Sequence, residues 1–100
     1  MEVDARALAT FVRGRSDAIR ACYELELKRD SSLKGTVVVR FTITPGGQTS
    51  EVEIESDTMG DKAVAGCLTS LVRGWVFPFK PAEDTAVAYP FVFSAKGSTP

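Results

Sequence analysis

Thr36-Val37-Val38-Val39-Arg40-Phe41-Thr42-Ile43-Thr44-Pro45-Gly46-Gly47-Gln48, continued by Glu51-Val52-Glu53-Ile54-Glu55, is the stretch that decides the fold. Successive side chains of an extended strand point to opposite faces. Val37, Val39, Phe41 and Ile43 therefore share one face, and Thr36, Val38, Arg40 and Thr42 the other. The first face is core and the second is mostly wet. Pro45 fixes φ, Gly46 and Gly47 accept positive φ, and in the run that follows Val52 and Ile54 oppose Glu51, Glu53 and Glu55. Two alternating runs around such a turn predict an antiparallel hairpin, whose outer face sets Arg40 among the glutamates in weak, solvated pairs.

Beyond the hairpin, Val64, Cys67, Leu68, Leu71 and Trp75 recur at steps of three and four, which predicts a helix between Gly60 and Trp75. After Trp75-Val76-Phe77-Pro78 and a polar loop through Glu83 and Asp84, a third alternating run turns Val87, Tyr89, Phe91 and Phe93 to one side. Proline has no N–H and is confined mostly to sheet edges, strand starts or bulges, so Pro90 makes this last strand an edge. The N–H groups of Ala86, Ala88 and Val92 then point outward, with Pro90 in the slot that has no donor. Upstream of the hairpin, Leu8, Phe11, Val12, Ile19 and Cys22 line one side of a helical segment from about Asp4 to Arg29. Gly14, with Ser16 and Asp17 as N-cap candidates, leaves open one helix or two.

The order α-β-β-α-β predicts an α+β fold, a two-layer sandwich in which helices pack on one face of a three-stranded sheet. The first strand lies in the middle, with the second and third at the edges. Residues 1–95 form one domain in this reading, and 96–100, small and polar, a flexible tail.

With 44% hydrophobic and 25% charged residues, the 100-residue chain has the composition of a globular domain with one core. A net charge of −1, its signs mixed along the chain, offers no field for phosphate backbones, which argues against nucleic acid as a partner. No apolar run approaches the roughly 20 residues that span a bilayer, so membrane attachment is expected only through an anchor outside this sequence.

Histidine is absent, which removes the commonest general base and transition-metal ligand. No phosphate loop, dinucleotide fingerprint, calcium loop or zinc-cysteine pair is present. The reading is of a protein without enzymatic activity, cofactor or metal. Cys22 and Cys67 fall on the core-facing stripes of two helices, and those positions alone leave open either a bridge or two buried thiols.

Cys22-Tyr23-Glu24, the segment Leu33 to Ile43 with Gly47, then Cys67, Trp75-Val76-Phe77-Pro78 and Tyr89-Pro90-Phe91-Val92-Phe93 together resemble the TonB C-terminal domain, specifically its cysteine-containing AgmX/PglI subgroup. The resemblance covers nearly the whole chain. It implies a periplasmic domain of an inner-membrane-anchored protein, active in energy transduction for transport or gliding motility. An oxidising compartment implies a Cys22–Cys67 disulfide.

Energy-transducing members of that family bind an extended peptide by adding it to the edge of the last strand. The resemblance thus implies a site at Thr85, Ala86, Val87, Ala88, Tyr89 and Val92, taking a protein or peptide segment from an outer-membrane or periplasmic partner. Pro90 departs from those members and should concentrate pairing on Ala86 and Ala88, with Val92 beyond the interruption. Tyr89, Trp75 and Phe77 read first as packing residues and second as partner contacts. Self-association through the same edge, within an envelope complex, and peptidoglycan binding are the alternatives.

Overall fold

The alternating stretch forms the middle of the sheet. A computed structural model describes residues 4–94 and, as backbone, 97–99. Its elements are α1 (Ala5–Arg13), α2 (Ser16–Leu27), β1 (Gly35–Ile43), β2 (Thr49–Asp57), α3 (Lys62–Arg73), β3 (Thr85–Ser94) and β4 (Gly97–Thr99). The sheet order is β2-β1-β3-β4, each strand antiparallel to its neighbour. The α+β architecture matches the sequence reading, with one addition. Gly97–Thr99, expected in a flexible tail, forms a short fourth strand on β3, because the last residues of β3 offered unpaired backbone groups within reach.

Val37, Val39, Phe41 and Ile43 are each 0% exposed, so the whole inward row of β1 is enclosed. Covering it are Leu8, Phe11 and Val12 of α1, Ile19, Cys22 and Tyr23 of α2, and Val64, Leu68 and Val72 of α3, in one continuous core with Phe91 and Phe93 of β3. Each such side chain contributes about 1.5–3 kcal/mol on leaving water, so the converging helix stripes fix which sheet face is inside.

The amino-terminal segment is two helices. Asp4 caps the first by accepting from the Arg6 N–H at 2.8 Å. Gly14 ends it, and the second starts from Arg15 without a side-chain cap, so Ser16 and Asp17 lie in the first turn of α2 and do not cap it. The Arg15 guanidinium instead sits 3.5 Å above the Phe11 ring, a cation–π contact across the break. In α3 the Asp61 carboxylate accepts from Ala63 and Val64 N–H at 2.9 and 3.0 Å, a well-formed N-cap.

The hairpin turn also fastens the aromatic segment that follows α3. The Phe77 N–H donates to the Gly47 carbonyl at 2.7 Å, Gln48 bridges to Val76, and the Thr49 hydroxyl donates to the Val72 carbonyl at 2.7 Å. Gly47 has φ +83°, and a Cβ there would lie 2.6 Å from the Phe77 carbonyl oxygen. Only glycine satisfies both the conformation and the approach. Gly47→Ala is expected to lower the unfolding free energy by about 2 kcal/mol in denaturant titration. Gly46→Ala, whose Cβ would meet nothing nearer than 3.8 Å, should change it by less than about 0.5 kcal/mol.

Candidate partner-binding edge

The two long borders of the sheet differ in register and in charge. On β2 the register against β1 shifts twice, between Val38 and Val39 and between Arg40 and Thr42, and Glu51 adopts a positive φ of 50°. Exposed Glu51, Glu53 and Glu55 stud this strand, and the Gln48–Val76 bridge covers its start. Bulges, charges and cover are the ordinary means by which an edge resists pairing.

β3 has neither bulges nor charges. Each of the nine residues of β1 finds a β3 partner in one unbroken register, from Gly35–Phe93 to Ile43–Thr85, and Thr85–Ser94 contains no charged residue. Among the described residues no strand lies on the other side of Thr85–Phe91. Ala86 and Ala88 are exposed, while Thr85, Val87 and Tyr89 are half-buried on the helix side, the Tyr89 ring 5.3 Å from that of Phe91. The structure therefore brings Thr85, Ala86, Val87, Ala88 and Tyr89 together on a bare border with an unbroken register behind it.

Val92 departs from the expectation. It is matched with Thr99 of β4, as Phe93 is with Ser98 and Ser94 with Gly97, so the chain itself occupies that end of the edge. The last strand is an edge over only part of its length. Gly97-Ser98-Thr99 carries no alternation from which this pairing could be read.

Trp75 and Phe77 are 6% and 2% exposed and belong to the core, in keeping with their first reading as packing residues. Trp75 meets the Phe11, Phe41 and Phe77 rings edge-on at 5.5, 6.4 and 6.0 Å. This cluster supports the sheet beneath β3 through Phe91, 6.4 Å from Trp75.

At the opposite end α2 is tied down twice. Cys22 and Cys67 are bonded, their Cα atoms 5.7 Å apart. Cys22 is buried, but Cys67 is exposed and not core-facing as expected, because Val64, Leu68 and Val72 at steps of four carry the buried stripe of α3 and leave Cys67 on its flank. Tyr23, missed by the helical stripe although it lies beside Cys22, stacks on Phe93 at 5.0 Å and donates its hydroxyl to the Leu33 carbonyl. Burial raises its phenol pKa above the ordinary value, and the Asp30 carboxylate adds to the shift.

No protein-family profile matches the sequence, and no curated protein matches it. Two solution structures do match in fold, both of the TonB C-terminal domain of Helicobacter pylori. The one spanning residues 194–285 has a TM-score of 0.57 at 22% identity, covering 86% of this chain and 95% of that one. The other, residues 179–285, has a TM-score of 0.55 at 20% identity, with 94% and 95% covered. The fold is that of a TonB C-terminal domain. Among the described residues no three His, Cys, Asp or Glu side chains gather where a metal ion could be held, and no helix is long and apolar enough to cross a membrane.

Two expected outcomes follow from the ties on α2 of this TonB-type fold. Reducing the Cys22–Cys67 bond should cost about 4 kcal/mol of stability on a chain-entropy argument, read from denaturant midpoints with and without reductant. Because the folded state raises the Tyr23 pKa, its contribution is fully present below the unfolded phenol value of about 10 and is lost as pH rises through the folded one. Tyr23→Phe should therefore cost about 1 kcal/mol at neutral pH and flatten the alkaline fall in stability.

Proposed function

We propose that this chain is a periplasmic protein-interaction domain of an inner-membrane-anchored, TonB-like protein, without enzymatic activity or cofactor. It captures an extended segment of an outer-membrane or periplasmic partner by strand addition along Thr85, Ala86, Val87, Ala88 and Tyr89. The observation that carries this reading is the contrast between the guarded β2 border and the unguarded β3 border. An unpaired strand edge offers main-chain donors and acceptors for affinity, while half-buried Val87 and Tyr89 provide the relief against which alternate partner side chains are sorted.

The Cys22–Cys67 bond suits an oxidising compartment. The quoted motifs resemble the AgmX/PglI subgroup, and on that resemblance the parent protein transmits force for gliding motility or transport. The uncharged edge equally favours pairing between two copies of the domain, a structural role in an envelope complex.

Titrating isotopically labelled domain with peptides from candidate envelope partners should shift the amides of residues 85–89. Shifts confined to the helices would sink the strand-capture reading. Sedimentation at several concentrations separates the two roles, since a coupler stays monomeric until peptide is added and a self-associating module does not.

A further inference from the structure

The border of β3 divides at Pro90. On one side Val92–Ser94 is matched by β4, and on the other Thr85–Tyr89 has β1 alone. Along a strand, residues of one parity turn both backbone groups to the same neighbour. Pro90 stands opposite Val38 within an unbroken register, where a proline costs the ladder no donor only if its nitrogen faces away from β1. The outward row therefore reads Ala86 N–H, Ala88 N–H, a proline ring, Val92 N–H. A strand laid across position 90 would meet the ring and leave one of its own carbonyls without a donor.

We infer that Pro90 insulates two strand-acceptor sites on one edge. Val92–Ser94 is filled by the protein's own β4, and Thr85–Tyr89 takes a short extended segment of another protein, no longer than that stretch. This rests on the strand-capture reading and adds to it a length limit and independence from β4. The partner is a segment that runs extended beside Ala86 and Ala88 and leaves the sheet before position 90, so binding does not require β4 to come off. A longer extended segment gains no affinity from its additional residues.

The test uses end-capped peptides of alternating Thr and Val, about five and about nine residues long with a terminal lysine for solubility, added to labelled wild-type protein and to Pro90→Thr. In the free protein the Ala86 and Ala88 amides should exchange fast and that of Val92 slowly. Both peptides should protect Ala86 and Ala88 of the wild type, leave the amides of residues 97–99 unmoved, and bind within about twofold of each other. In Pro90→Thr the restored donor should let the longer peptide bind roughly tenfold tighter than the shorter and displace β4. If the longer peptide already gains tenfold and displaces β4 in the wild type, or gains nothing in Pro90→Thr, insulation is wrong while strand capture stands. If neither peptide protects Ala86 and Ala88 in either protein, strand capture falls and this inference with it.

Discussion

Everything in this domain is arranged around a strand that is bonded on both sides and covered on one. β1 pairs with β2 and β3 together, and its inward row of Val37, Val39, Phe41 and Ile43 is sealed by three helices. A one-residue slip would expose that row to water and push Arg40 into the core, so register and burial enforce each other. The crossover through α3 then places β2 and β3 on opposite flanks of β1, which creates two borders from one central constraint.

Those borders diverge through local chemistry. Glutamates and register shifts make β2 a poor template for another strand, and the turn at Gly47 closes its start against Phe77. β3 is in the opposite circumstance, since its pairing with β1 is uninterrupted and its inner row rests on Trp75 and Tyr23 through Phe91 and Phe93. A border paired continuously from behind would need little reordering of its own if a segment docked on it.

What the sequence disclosed follows from how local the physics is. Alternation around Phe41 and the glycines of the hairpin turn act between near neighbours, and they identify the middle strand and its partner without coordinates. Pro90 is equally legible, because a missing donor is a property of the residue itself. Three features were not. Spacings of three and four both fit a helical stripe, so Cys67 reads as a core position although Val64, Leu68 and Val72 form the buried row. Tyr23 finds its partners, Leu33 and Phe93, through the tertiary fold alone. Gly97–Thr99 pairs because of the vacancy beside it, which small residues without a pattern cannot announce. That last point trims the candidate site from six residues to five by removing Val92.

The Cys22–Cys67 bond closes a covalent ring that contains β1, β2 and the start of α3, and β3 lies outside it. The element with the bare border is thus the one long strand that no cross-link retains. When the domain loosens, the ring keeps its hairpin confined, while β3 depends on its ladders to β1 and β4 and on the packing of Val87, Tyr89, Phe91 and Phe93. Under the proposed strand capture, a pull on the bound segment would be borne first by that non-covalent seam, outside the covalent ring.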